Sequence, residues 1–255
     1  MRLDVVLWRR LAAEFLGSAF LALIVVGSGI AAQRLSPGDT GLELLQNAVV
    51  TGAGLFAVIL VFGALSGAHF NPLVSLADAV FGGLGWRDAA AYLPAQVAGC
   101  MTGAVLANLL FALPAVTVST HRRASGPHLV SEAVATFGLL LVIFALARTG
   151  RTRSTPAAVG AYIAAAYFFT SSTAFANPAI TVGRTLSDTF AGIAPSSVLP
   201  FVCAQVVGAG LAVVAVLVLY PGLDAAEAAD IVVPHLRDPS DPETAPADRH
   251  REQSS

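Results

Sequence analysis

The chain has 255 residues, 56% of them hydrophobic and 12% charged, with a net charge of −2 at neutral pH. A soluble domain carries about 25% charged residues, so a water-soluble globule is excluded. Nucleic-acid binding is excluded too, because no basic run extends beyond Arg122–Arg123. A membrane span takes about 20 apolar residues, and a mean hydropathy of +0.74 leaves room for about six.

The first apolar run, about 11–32, follows Arg9 and Arg10 and ends in small residues, the outline of a secretory leader. Its length and the acid Glu14 exceed the short, uncharged core of such a leader, so it reads as a retained span. Further spans are expected at about 44–65, 89–113, 129–147, 157–171 and 197–220. Two intervening segments, about 66–81 and 172–190, are apolar, rich in small residues and too short to cross; they contain Asn71–Pro72 and Asn177–Pro178. Beyond residue 224 the chain turns acidic and proline-rich, and 224–255 reads as a disordered cytoplasmic tail. Cys100 and Cys203 are too few for a disulfide framework. The Arg bias, with Arg2, Arg9, Arg10, Arg87, Arg148, Arg151 and Arg153 on the side of the N-terminus, favours both termini inside.

The halves repeat each other, over about 8–113 and 126–221. Glu14 answers Glu132 early in the first span of each half. Asn71–Pro72–Leu73 answers Asn177–Pro178–Ala179, and Ala95–Gly99 answers Ala204–Gly208. Three spans per half require the second copy to be inverted, and inverted repeats with broken helices are a known way to build a transport site.

Proline suits the first position of a helix and Asn caps it well. Each Asn-Pro pair therefore predicts a half-helix, over about 72–81 and 178–188, entered from extended backbone at 67–70 and 174–176. Irregular backbone at membrane depth is tolerated only where protein buries it or a wet cavity solvates it. Two half-helix N-termini meeting there, each with about half a positive charge, would repel cations and orient a neutral hydrogen-bonding solute.

SGAHFNPLVSLADA and STAFANPAITVGRTLSDTFAGIAP resemble the two signature loops of the aquaporin (major intrinsic protein) family, and the similarity covers about residues 8–221. The resemblance implies an all-α integral membrane protein with six transmembrane helices plus two re-entrant half-helices in an inverted repeat, a pore in each subunit and a homotetramer. Residues 1–223 would form the channel domain. Asn71, Pro72, Leu73, Asn177, Pro178 and Ala179 match the paired constriction motifs, and Glu14 and Glu132 match the buried repeat glutamates that anchor the loops. Those two are the intramembrane carboxylates of this reading. His69 matches a histidine common on the inner side of the pore.

Leu73 stands where the family usually has Ala, and Ile180 where most members place the filter arginine. Counting without gaps from the asparagines puts the filter at Thr51, Ala165, Ala174 and Ile180, a wide and largely apolar ring. Phe175 is a possible substitute at the loop position. Arg184, one helical turn beyond Ile180, is expected near the outer mouth, either pairing with Asp188 at (i, i+4), the favoured reading, or attracting anions. The missing arginine resembles a bacterial subgroup linked to arsenic handling. The expected function is passive passage of small neutral solutes, with glycerol, arsenite or methylated arsenicals as candidate cargo and water passing too. A water-selective channel narrowed by Phe175 or Arg184 is the alternative, and a non-conducting structural protein a third. No catalytic motif, metal site or cofactor is expected. The expected partners are the lipid bilayer, small neutral solutes and further copies of the chain, and the expected location is a bacterial inner membrane with both termini cytoplasmic.

Overall fold

The computed structural model describes residues 2–221, with side chains from Val6 onward. The acidic segment expected to be disordered, 224–255, lies outside them. Eight helices and no strand occur among the described residues: α1 (Arg2–Leu35), α2 (Thr40–Ser66), α3 (Pro72–Phe81), α4 (Trp86–Leu110), α5 (Gly126–Arg148), α6 (Thr155–Phe169), α7 (Pro178–Gly183) and α8 (Pro195–Leu219). Five are long and apolar enough to cross a membrane. The sixth span, α6, has 15 residues and is preceded by a single 3-10 turn at Thr152–Ser154. The half-helix α3 occupies the expected 72–81. Its counterpart is shorter than the expected 178–188: α7 stops at Gly183, and one 3-10 turn, Arg184–Leu186, follows.

Lipid tails give apolar helices no reason to associate, so small residues that let backbones touch decide which helices pair. Three crossings use this. Gly99 and Gly103 of α4 lie against the Phe15 and Ala19 carbonyls of α1, and Gly208 of α8 lies against the Ala133 carbonyl of α5. Gly99 and Gly208 are repeat partners, so one contact is made twice. The halves join where Gly52 of α2 meets Gly160 of α6: a Cβ on Gly160 would lie 2.6 Å from the Gly52 carbonyl oxygen. A polar clasp adds to α1 and α2, where Asn47 donates to the Val25 carbonyl at 2.9 Å and to Ser28 Oγ at 2.7 Å.

The face where α1 begins also carries the start of α4, fixed by Arg10 Nη1 donating to Asp88 at 2.7 Å. At the opposite face, where α1 ends, the Phe190 N–H donates to Gln33 Oε1 at 2.9 Å. There the connection 111–125 packs along the segment after α7, through Thr117 N–H to the Leu186 carbonyl and Ser119 N–H to the Thr185 carbonyl. The two faces are called the first and the second below.

Gly160→Val, with no space at the crossing, is expected to abolish the monodisperse peak on detergent size-exclusion chromatography or lower Tm by more than 10 °C, given about 1–3 kcal/mol or more for overpacking. Gly210→Ala, where an added Cβ meets nothing within 4 Å, should leave both unchanged.

Candidate functional site

The chain breaks twice at membrane depth, and each break is held by a buried glutamate. Before α3, backbone φ is positive at Gly67, Ala68 and Phe70; before α7 it is positive at Thr173, Ala174 and Ala176. The expected extended entries are therefore interrupted by left-handed residues, each costing about 1–3 kcal/mol for a side chain other than glycine's. Such strain persists only where surrounding contacts over-determine it. Glu14 supplies them in the first half, accepting from His69 N–H at 3.0 Å, Phe70 N–H at 2.8 Å, Ser66 Oγ at 2.6 Å and Gln96 Nε2 at 2.7 Å. In the second half Glu132 accepts from Phe175 N–H and Ala176 N–H, both at 2.9 Å, and from Gln205 Nε2 at 2.6 Å. The glutamines reach onward, Gln96 to Ser75 and Gln205 to Thr181, and those hydroxyls donate to the Asn71 and Asn177 carbonyls.

Asn71 and Asn177 cap the two half-helices and bind each other's loops. The Asn71 side chain accepts from Leu73 N–H at 3.0 Å, and its amide donates to the Ala176 carbonyl at 2.8 Å. Asn177 accepts from Ala179 N–H at 2.9 Å and donates to the Phe70 carbonyl at 2.7 Å. Each amide keeps a second N–H, since an NH₂ carries two donors. Pro72 and Pro178 occupy first helical turns, where their missing N–H costs nothing. Leu73 and Ala179 are buried in the packing behind.

One narrow lumen of about 60 Å³ is lined by both asparagines, with Leu21, Val25, Leu55 and Ile59 among its apolar walls. Toward the second face it is lined by Thr51, Tyr167, Ala174, Phe175, Ile180 and Arg184. Two expectations need correction here. Ala165 is exposed and does not line the lumen; Ile163 and Tyr167 of the same helix do. A helix turns about 100° per residue, so an error of two residues in register carries a side chain to the opposite face. Tyr167 OH instead lies 3.3 Å from Thr51 Oγ1, so a phenol lines the lumen where the expected set had an Ala methyl.

The other correction concerns Arg184, which does not pair with Asp188. Its side chain is buried, Nε donates to the Ala191 carbonyl, and the guanidinium lies 3.4 Å from the centroid of the Phe175 ring. Asp188 points away and accepts from the Thr120 N–H at 2.8 Å, a bond that holds its carboxyl below the usual range. The short α7 explains the difference: the 3-10 turn after Gly183 changes the angular spacing on which an (i, i+4) pair depends. Arg123 reaches the same phenyl ring at 5.6 Å, its Nε and Nη2 held by the Gly192 and Phe190 carbonyls.

Toward the first face, His69 lines the lumen. Its Nδ1 lies 3.0 Å from Ser75 Oγ and its Nε2 3.3 Å from Asp78 Oδ2. Asp78 is therefore a third buried carboxylate at membrane depth, beside Glu14 and Glu132. The signal was an acid within the apolar half-helix sequence PLVSLADAVF. Cys100 is buried and Cys203 exposed, each free. Among the described residues no group of three or more His, Cys, Asp or Glu could hold a metal.

Comparison with known proteins agrees with this architecture. The profile of the family described as Major intrinsic protein matches residues 2–173. Aquaglyceroporin AqpS of Rhizobium meliloti (strain 1021) is 48% identical over 203 residues, covering 80% of this chain and 86% of that protein. The glycerol uptake facilitator protein of Streptococcus pneumoniae (strain ATCC BAA-255 / R6) is 34% identical over 147 residues, 52% of this chain and 62% of the relative. Among solved structures, the aquaglyceroporin from Plasmodium falciparum superposes with a TM-score of 0.64 at 23% identity, over 84% of this chain and 95% of that one. It shows the same fold.

Replacing Glu132 by Gln leaves one acceptor oxygen and adds an NH₂ beside backbone donors. At about 1–3 kcal/mol per unsatisfied buried group, Glu132→Gln should lower Tm in detergent by several degrees, measured by intrinsic fluorescence. An unchanged Tm would mean the loop is held without the carboxylate.

Proposed function

The chain belongs to the major intrinsic protein family, and we propose that it is a passive transmembrane conduit for small neutral solutes, glycerol-like polyols first among them, with water passing as well. One observation carries this: hydrogen-bonding side chains line the lumen at Asn71, Asn177, Thr51, Tyr167 and Arg184, together with Leu, Val and Ile side chains. A polyol has the matching chemistry, hydroxyls along one side and C–H along the other. The half-helix N-termini and spare asparagine N–H groups favour a solute that offers lone pairs and oppose a cation.

Ile180 where most of the family carries Arg supports the wider range of cargo. Neutral arsenite, As(OH)₃, presents three hydroxyls on a compact centre, and methylated arsenicals replace hydroxyls by apolar groups; both fit the same two-sided chemistry. The names of the aquaglyceroporin and glycerol-facilitator relatives support polyol passage. A second reading, a water-selective pore, draws on Arg184 and Phe175, which both line the lumen and pack on each other at 3.4 Å. We further propose a homotetramer in a bacterial inner membrane with both termini cytoplasmic, with residues 1–223 forming the channel domain and 224–255 an acidic tail. The family resemblance and the Arg bias of the loops support these assignments.

Stopped-flow light scattering on proteoliposomes separates the two readings. Fast glycerol re-entry above empty liposomes is expected; water flux without glycerol entry would favour the second reading. Ile180→Arg should slow glycerol about tenfold or more while slowing water less, a barrier change of at least about 1.4 kcal/mol. Tyr167→Ala should raise glycerol entry, whereas Ala165→His, on the outer surface, should leave both fluxes unchanged. The reverse ranking of Tyr167 and Ala165 would contradict the ring described above.

A further inference from the structure

The two half-helices carry opposite charges at one repeat position. Asp78 stands at the same interval from Asn71 as Arg184 does from Asn177, and each packs on the ring that precedes its own asparagine by two residues. In the second half that ring is the phenyl of Phe175, under Arg184. In the first half it is the imidazole of His69, beside Asp78. The lumen is thus flanked by an aromatic ring on each side of the paired asparagines, and each ring has its own charged partner.

The imidazole differs from the phenyl in having two nitrogens that could bond a passing solute. Both are turned into the wall. Ser75 and Asp78, their partners, are buried and do not line the lumen, whereas His69 does. Ser75 Oγ donates to the Asn71 carbonyl and accepts from Gln96 Nε2, which fixes that partner in turn. Tyr92 packs edge-on against the ring with centroids 5.6 Å apart. The charged and titratable groups around His69 are Asp78 on α3, Glu14 and Arg10 on α1, and Tyr92 on α4, with Asp88 behind Arg10. Glu14 is occupied by four donors and Arg10 by Asp88 and the Tyr92 hydroxyl. Asp78 Oδ1 is buried without a partner, so the imidazole is the one side-chain partner of this carboxyl among the described residues.

We infer that Asp78 is a positioning residue for solute selection: it holds Nε2 of His69 in the wall, so that the histidine shows the lumen its carbon edge, as Phe175 does in the other half. The conduit then has one aromatic carbon edge on each side of the paired asparagines. A solute with C–H surface passes the His69 edge at a smaller disadvantage to water than it would past a free imidazole. The glycerol part of this inference rests on the function proposed above.

The test compares the glycerol-to-water permeability ratio of wild type, Asp78→Leu, Asp78→Asn and the double variant His69→Phe/Asp78→Leu in proteoliposomes from pH 5.5 to 8. The wild-type ratio should be level across this range. Asp78→Leu frees Nε2, which should lower the ratio about threefold to tenfold, the scale of one hydrogen bond, and make it pH-dependent, because a free imidazole titrates near 6.5. Asp78→Asn keeps a hydrogen-bonding partner for Nε2 and should stay near wild type, as should the double variant His69→Phe/Asp78→Leu, which has a phenyl at 69 and leaves no carboxyl unpaired. The double variant should also lose the pH dependence. An Asp78→Leu ratio equal to wild type and level with pH would overturn the inference, as would a drop of the same size in the double variant. If Asp78→Leu does not fold, ¹⁵N NMR of histidine-labelled wild type in lipid decides, with His69→Phe assigning the signals: both ring nitrogens of His69 bonded and unchanged from pH 5.5 to 8 supports the inference, and a titrating, water-exposed Nε2 overturns it. A wild type that passes water but no glycerol would contradict the proposed function, and the pH profile of water flux would then test Asp78 alone.

Discussion

Backbone that leaves a helix inside a bilayer must find partners for its N–H and C=O groups within the protein, because the hydrocarbon offers none. Nearly every feature of this chain follows from how it meets that demand twice. Two glutamates take the N–H groups of the broken segments, two glutamines hold the glutamates, and two asparagines bond across to the other segment's carbonyl. These bonds let short left-handed stretches stand at membrane depth and bring two helix N-termini together. The lumen runs past that meeting point because polar groups left over there need something to face.

The tight helix crossings serve the same end. Gly99 against α1 and Gly208 against α5 bring the glutamine-bearing helices close enough for Gln96 to reach Glu14 and Gln205 to reach Glu132. Gly52 against Gly160 closes the halves on each other. Packing by small residues and hydrogen bonding by buried polar ones are thus parts of one arrangement. The symmetry is then broken at matched positions: Phe175 answers His69 beside the lumen, and Arg184 answers Asp78, which lies behind the wall. A conduit with repeated backbone chemistry and unlike mouths is the result.

The order and approximate positions of the apolar helices were legible in the sequence, because hydropathy and charge mark them directly; the ends were less so, since α1 extends back to Arg2 and α6 has only 15 residues. So was the start of each half-helix, since Asn followed by Pro leaves the backbone few choices. At the candidate site the legible residues are those whose geometry the local backbone dictates: the capping asparagines, and the glutamates placed early in the first span of each half. Rotation of a helix about its axis was not legible. Counting from a distant motif set Ala165 toward the lumen, where Tyr167 sits. The path of a long side chain was equally hidden: Arg184 bypasses Asp188 because α7 ends at Gly183 and its guanidinium finds the Phe175 ring. Asp78 was present in the sequence as an acid in an apolar half-helix, but its meaning depended on a partner, His69, that only the fold brings alongside.

The central claim is that the lumen between the paired asparagines conducts neutral solutes and not charge. Proteoliposomes loaded with a pH-sensitive dye, given a glycerol gradient and a proton gradient together, test it in one recording. The account predicts rapid volume change from glycerol and water while the internal pH follows that of protein-free liposomes. Proton flux that rises with the amount of protein, or glycerol entry no faster than in empty liposomes, would contradict it.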